Sequence, residues 1–227
     1  MRRCVCGGRS CYRDEVVAPA SSAIDVDDLR MTVVARWRHL PMRIRLAAPL
    51  GDDDLFDLCA ANRELRIERT SDGELVILPP AGGEARRRNF DLIGQFATWV
   101  RRDGTGVGFD SSTGFLLPNG AERAPDLAWV RTPRWNALTE AQRRKFPPVC
   151  PDFVMELRSP SDKLSDQQAK LEECLACGAR LGWLIDPEER RVHVYRPGCA
   201  ADVLEQPTEL RGDPELPGLV LDLRSIW

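Results

Sequence analysis

One acidic residue lies inside a stretch of the chain that otherwise suits a protein interior. Residues 151–157, PDFVMEL, read as a buried β-strand with Glu156 close to its end. Burying a carboxylate in apolar surroundings is costly unless a cation or hydrogen-bond donors replace the lost hydration. Any fold that this chain adopts must therefore place a positive group beside Glu156.

A second strand-like segment carries another acid. Residues 125–130, PDLAWV, have Asp126 at their beginning. Two carboxylates that meet in an apolar setting repel each other and require a cation, and Mg²⁺ would bind both while keeping water for chemistry. Each acid also has a structural explanation. Asp126 fits a turn or capping residue, and Glu156 fits a buried pair with Arg158 or Lys170.

A helix follows the Glu156 strand and carries Lys170 on its first turns. We expect this helix to begin near Ser165 or Asp166 and to end at Gly178. Because it returns directly after the strand, Lys170 can point toward the same place as Glu156. Two acids and a lysine around a metal-bound water suit phosphodiester hydrolysis. The metal lowers the pKa of the water, and the lysine orients the water or the phosphate.

Hydrophobic periodicity and turn residues predict the other elements. In chain order they are a helix at 52–59, a hairpin at 65–78, a helix at 84–102, strands at 106–110, 114–117 and 125–130, one helical turn at 139–142, and a hairpin at 181–195. In the long helix, Phe90, Ile93 and Val100 fall at helical spacing, which predicts an apolar face. This order of helices and strands predicts an α/β fold with a mixed sheet.

The composition of the chain limits the classes of protein to which it can belong. The 227 residues are 43% hydrophobic and 30% charged, which suits one globular domain with an extension. Residues 1–45 show no sustained period, so we expect them to be a poorly ordered extension and residues 46–227 to form the domain. No apolar run suits a membrane helix, and no apolar core follows Arg2 and Arg3 as in a signal peptide. We therefore expect a cytoplasmic protein without membrane contact.

The cysteines and the net charge limit which metal, redox and nucleic-acid-binding functions the sequence supports. Without an export signal, we expect the eight cysteines to be free thiols. Cys4, Cys6 and Cys11 would supply three ligands of a zinc site, but no fourth lies near. Cys174 and Cys177 stand one helical turn apart, where small buried residues are a simpler explanation than a redox pair. The net charge of −3 does not indicate a nucleic-acid binder, although local basic patches can bind nucleic acid in a protein of negative net charge.

The motifs around both acids resemble a known family. Residues 151–162, PDFVMELRSPSD, look like the signature of the Uma-type restriction endonuclease family, within the PD-(D/E)XK nuclease superfamily. Pro125-Asp126 and the later run of Lys170, Gly178, Trp183 and LIDP at 184–187 fit the same pattern. Residues 64–80 are similar to the family's opening hairpin. The resemblance covers about residues 50–200, and we expect it to continue to Trp227.

The resemblance implies a restriction endonuclease-like core, a mixed β-sheet flanked by helices, with an N-terminal helix–hairpin and a C-terminal hairpin extension. It implies that Asp126 and Glu156 ligate Mg²⁺ or Mn²⁺, helped by the carbonyl of Leu157. Arg158 stands where the superfamily has lysine, and arginine stays protonated and cannot act as a base. The family places that lysine on the following helix, which leaves Lys170 as the third catalytic residue and Arg158 as a phosphate contact or salt-bridge partner.

Further candidates come from the first half of the chain. The wider superfamily often adds an acid from its first helix, which favours Glu84, whereas Glu68 would reach the site from the hairpin. An exposed surface position is the simpler explanation for either acid alone. The arginines at 86–88 begin a helix, where they would meet phosphates or face solvent.

The motifs lead to one main hypothesis and two rivals. The main one is a Mg²⁺-dependent endonuclease that cuts DNA, acting as a homodimer, as enzymes of this class commonly do. The second is a nucleic-acid-binding module with a degenerate nuclease site, associated with mobile elements, which Arg158 and the modest net charge favour. The third is a structural protein whose acids form internal salt bridges.

Overall fold

The computed structural model describes residues 41–227, which contain both helices and strands. Within this range the helices are α1 Asp52–Ala61, α2 Gly83–Asp103, α3 Thr132–Asn136, α4 Glu140–Arg144 and α5 Leu164–Ala176. Their ends follow ordinary helix chemistry. Gly104 ends α2 in the left-handed conformation that glycine adopts most easily, with φ of 68°. Thr139 and Gln142 form a reciprocal capping box at the start of α4.

The strands of the described range fall into three sheets. They are β1 Met42–Ile44, β2 Arg66–Arg69, β3 Leu75–Leu78, β4 Gly106–Asp110, β5 Phe115–Leu116, β6 Glu122–Arg123, β7 Leu127–Arg131, β8 Phe153–Leu157, β9 Leu181–Asp186, β10 Arg191–Tyr195, β11 Asp202–Glu205, β12 Glu209–Arg211 and β13 Val220–Asp222. The central sheet has the order β11-β10-β9-β8-β7-β4, a smaller one has the order β1-β3-β2-β6-β5, and β12 pairs with β13.

The central sheet is mixed. Only β8 and β9 run parallel in it, and helix α5 forms the crossover between them. Its other neighbouring pairs are antiparallel. This arrangement, together with the helices that cover both faces, confirms the predicted α/β class with a mixed sheet, an N-terminal helix and hairpin, and a C-terminal hairpin.

Each face of the central sheet has its own core. Alternate residues of β8 point to opposite faces. Phe153 and Met155 pack in a cluster with α2 and the C-terminal segment, whereas Val154 packs in a second cluster with Leu171 of α5. Because Glu156 follows Val154 by two positions, its side chain faces α5.

The smaller sheet packs around helix α1. A third cluster unites α1 with β2 and β3, and its buried members are Leu55, Leu58, Ile67, Leu75 and Ile77. The two-residue strand β6 pairs with β2 through Arg69 and Glu122. This pairing joins the N-terminal hairpin to the chain segment that leads into β7.

Three sequence expectations differ from the structure in detail. Met42–Ile44, inside the predicted extension 1–45, pairs with β3 as a strand, while residues 1–40, with Cys4, Cys6 and Cys11, lie outside the described residues. Phe90 is 75% exposed, because α2 turns the neighbouring stripe of Leu92, Phe96 and Trp99 inward. Strand β6 was not predicted. Among residues 41–227, no helix has the length and apolar character needed to cross a bilayer.

Two phenylalanines offer a matched test of the α2-side core. Phe153 is fully buried, with ring centroids 5.7 Å from Phe96 and 4.9 Å from Trp183. We expect Phe153→Ala to lower the free energy of unfolding by about 3–5 kcal/mol through lost burial and a residual cavity. Phe90→Ala should change it by less than about 0.5 kcal/mol. Urea denaturation measures both, and equal losses would contradict this packing.

Candidate active site

Neighbouring strands bring Asp126 and Glu156 to one face of the central sheet. Leu127 of β7 lies opposite Met155 of β8 in an antiparallel pair, so the same register places Asp126 opposite Glu156. Residues directly opposite each other share a face. The backbone N–H of Leu157 donates to Oδ2 of Asp126 at 2.9 Å, which holds this carboxylate at the end of β8.

Helix α5 places Lys170 against these acids. Its Nζ lies 2.7 Å from Oε1 of Glu156 in an ion pair, and it donates to Oε1 of Glu68 at 2.7 Å and to the carbonyl of Ala124 at 3.2 Å. The Lys170 side chain is only 10% exposed. A buried ammonium therefore bridges the hairpin strand β2 and the sheet strand β8.

Glu68 is the acid that the hairpin contributes. Besides Lys170, its carboxylate accepts hydrogen bonds from Nη1 of Arg123 and from the backbone N–H of Ala124, both at 3.3 Å. Burial raises the pKa of Glu68, but Lys170 and Arg123 outweigh burial, so the pKa lies below its ordinary value. Glu68 thus remains a carboxylate and a fixed partner of the lysine.

Glu156 and Asp126 have the opposite electrostatic character. Burial raises the pKa of Glu156 to about 8, with Lys170 opposing the shift and Asp126 adding to it. Burial also raises the pKa of Asp126, although Arg66 and the N–H of Leu157 lower it. Two neighbouring carboxyls that both resist ionisation are a site at which a further cation would be favourable.

These residues form the deep part of one cleft of about 600 Å³. Its wall is formed by hairpin residues such as Arg66, by the start of α2 and by the turn after β8. Nη2 of Arg66 lies 3.9 Å from Oδ1 of Asp126. The cleft therefore combines carboxylates and cations from widely separated parts of the chain.

Two sequence candidates lie elsewhere. Glu84 is exposed, does not line the cleft, and pairs with Arg87 and Arg88 on its own helix. Nη1 of Arg158 binds Oδ2 of the buried Asp186 at 2.7 Å, and Arg158 does not line the cleft. Of the two roles considered for Arg158, its contacts are those of a salt-bridge partner.

Glu122 is a cleft residue that the sequence did not indicate. It is buried, and its Oε2 accepts no hydrogen bond from the described part of the chain. Burial raises the pKa of Glu122 to about 8, and the charge of Glu68 adds to the shift. Its strand β6 is too short to show periodicity, so no sequence signal pointed to this acid. The structure shows how closely Gly114 approaches it. A Cβ at position 114 would stand 1.9 Å from Oε1 of Glu122.

The carboxylate pair meets the requirements of a hard divalent cation. Oε1 of Glu156 is buried, and its polar partner within residues 41–227 is Nζ of Lys170 at 2.7 Å. In that range no cluster of three or more His, Cys, Asp or Glu side chains forms a metal cage. Two carboxylates with a nearby backbone carbonyl and water suit Mg²⁺, which keeps several waters.

Comparison with protein families identifies the chain. The profile of the Uma2 family, described as "Putative restriction endonuclease", matches residues 52–224. The chain belongs to this family. The match confirms the resemblance indicated by the sequence motifs, including its expected continuation through the C-terminal segment. Comparison with curated proteins gives no match.

A solved structure shows that this Uma2 chain shares its fold with another protein. The structure is of "a putative nuclease belonging to DUF820" from Anabaena variabilis, with a TM-score of 0.62 and 21% identity. The similarity covers 72% of this chain and 90% of the other. It supports the restriction endonuclease-like fold.

The raised pKa of Glu122 predicts a pH-dependent effect of Glu122→Gln. Below about pH 4.5, the carboxyl is protonated in both folded and unfolded chains. As the pH rises to about 8, the unfolded chain ionises this group while the folded chain does not, which favours unfolding of the wild type. The Gln variant should therefore be the more stable one above pH 8, by on the order of a few kcal/mol.

Urea denaturation in EDTA at pH 5 and pH 8.5 measures this difference. The advantage of Glu122→Gln should shrink toward the lower pH, and the exposed Glu64→Gln should show no such trend. The same stability difference at both pH values would contradict a buried, neutral Glu122.

Proposed function

We propose that this chain is a metal-dependent endonuclease that hydrolyses DNA phosphodiester bonds. The observation that carries the proposal is the convergence of Asp126, Glu156 and Lys170 in one cleft. Asp126 immediately precedes β7, Glu156 lies in β8 and Lys170 lies in α5, so packing has brought two buried acids and a buried cation together. Membership of a family described as restriction endonucleases supports the same reaction class.

Asp126 and Glu156 would hold Mg²⁺ or Mn²⁺, with the carbonyl of Leu157 as a further ligand. The bound cation would supply a water of lowered pKa and offset the charge that develops on the phosphate. Leu157 joins the two acids through its N–H bond to Asp126. A short backbone segment would thus position all three ligands.

Lys170 would act as a cation rather than as a base. Burial lowers the pKa of Lys170, but Glu156 and Glu68 outweigh burial, so the pKa lies above its ordinary value. A protonated ammonium donates hydrogen bonds to a water or a phosphate oxygen and stabilises negative charge in the transition state. Glu68 would keep the ammonium in place through its own hydrogen bond to Nζ. Asp126 takes no part in that contact.

The structure offers no particular support for the rival binding module. Its main argument was Arg158 at the usual lysine position, yet Arg158 pairs with Asp186 while Lys170 lies against Glu156. We retain the homodimer as part of the proposal, since a dimer would bring one site to each strand of a duplex. Light scattering of the purified protein measures it.

Removing either acid should abolish cleavage. We expect the wild type to nick supercoiled plasmid in Mg²⁺ or Mn²⁺ but not in EDTA, and Asp126→Asn and Glu156→Gln to reduce the rate at least about 100-fold. Both substitutions keep the shape of the side chain. Glu84→Gln, outside the cleft, is the matched control and should retain the wild-type rate.

Cleavage that persists in both acid variants would exclude this site. Binding of labelled DNA without metal-dependent cleavage in the wild type would favour the binding module. A parallel assay with labelled RNA of the same sequence tests the choice of DNA as substrate.

Replacing Lys170 should separate catalysis from metal binding. Lys170→Met removes the ammonium but keeps much of the length of the side chain, and we expect a loss in cleavage rate of about 100-fold or more. Calorimetric titration with Mn²⁺ should still show binding, because both carboxylates remain. Loss of Mn²⁺ binding with intact folding would instead give Lys170 a role in assembling the metal site.

A further inference from the structure

Two arginines at the rim of the cleft have guanidinium groups without acidic partners. Arg63 lies between α1 and β2, and Arg86 lies on the first turn of α2. Both are exposed and both line the cleft. Within residues 41–227, neither forms an ion pair, whereas Arg87 and Arg88, which follow Arg86 in α2, are paired with Glu84.

The backbone orients both side chains in the same way. Nε of Arg63 donates to the carbonyl of Ala60 at 3.3 Å, and Nε of Arg86 donates to the carbonyl of Ala81 at 3.2 Å. The terminal nitrogens of both have no partner in the described chain. A guanidinium held through Nε presents its two outer nitrogens as a fork, which matches two oxygens of a phosphate.

The acids of the cleft and its unpaired arginines lie at different depths. Glu68, Glu122 and Glu156 are buried together with the ammonium of Lys170, whereas Arg63 and Arg86 are exposed. Arg66, with a side chain 36% exposed, stands between the two zones and faces Asp126. The unpaired positive charge of the cleft thus lies at its rim, where it attracts anions, and the acids lie at its floor.

We propose that Arg63 and Arg86 form a phosphate-binding pair that holds the DNA backbone at the mouth of the cleft. This inference rests on the proposed function and assigns substrate contacts to two residues outside the metal site. The pair binds backbone phosphates rather than bases, so it contributes affinity without sequence preference. Arg63 and Arg86 are not catalytic residues, because they would hold phosphates away from the acids.

Salt dependence of binding tests the pair directly. The probe is a fluorescein-labelled DNA duplex in EDTA, where a metal-dependent enzyme cannot cut it, and anisotropy gives the affinity at several salt concentrations. Each lost phosphate contact should reduce the slope of log affinity against log salt by about 1. We therefore expect Arg63→Ala/Arg86→Ala to reduce the slope by about 2 and the low-salt affinity about tenfold.

Two controls separate charge from fold and from geometry. Arg101→Ala removes an exposed arginine about 22 Å further along α2, outside the cleft, and should leave the slope unchanged. Arg63→Lys/Arg86→Lys keeps both charges and should restore most of the slope. Circular dichroism melting curves establish that each variant is folded.

The outcomes distinguish this inference from the nuclease proposal. A wild-type slope in the double alanine variant, or an equal loss in Arg101→Ala, overturns the phosphate pair even if plasmid cleavage is observed. An absence of wild-type duplex binding at low salt also overturns it. The predicted change in slope without any metal-dependent cleavage supports the pair and counts against the endonuclease.

Discussion

The buried ammonium of Lys170 is the contact on which the site depends. It lies 2.7 Å from carboxylate oxygens of both Glu68 and Glu156. Removing one partner of a buried ion pair leaves an uncompensated charge, which costs far more than the pair contributes. The hairpin strand β2, the sheet strand β8 and the crossover helix α5 are therefore coupled by one side chain, and the cleft between them has a defined shape.

This coupling resolves the problem posed by an acid in an apolar strand. The alternation of β8 turns Phe153 and Met155 toward α2 and Glu156 toward α5, so the carboxylate meets the face of the helix that carries Lys170. Strand alternation and helix spacing are short-range properties, and they predicted most of the elements of the domain and a lysine-bearing helix directly after the Glu156 strand. The choice of Lys170 as the third catalytic residue rested on the family resemblance, and the roles of the two acids and the lysine stay predictions.

Other features depend on contacts between distant segments, and the sequence did not reveal them. Glu122 is buried because β6, only two residues long, pairs with β2 of the hairpin. Phe90 matched the helical period, yet the side of α2 that packs inward is decided by the position of the sheet and of the C-terminal segment. Arg158 pairs with Asp186 because β8 and β9 end side by side, a consequence of parallel pairing.

Because the unpaired arginines and the acids lie at different depths of the cleft, the proposed reaction divides into phosphate binding at the rim and cleavage at the floor. The acids at the floor offer a phosphate no attraction until they hold a cation, whereas the exposed Arg63 and Arg86 at the rim attract one without a metal. Affinity for the backbone and competence for cleavage would then depend on different residues. Such a cleft can hold DNA loosely without cutting it, and hydrolysis would begin only when Asp126 and Glu156 carry their cation.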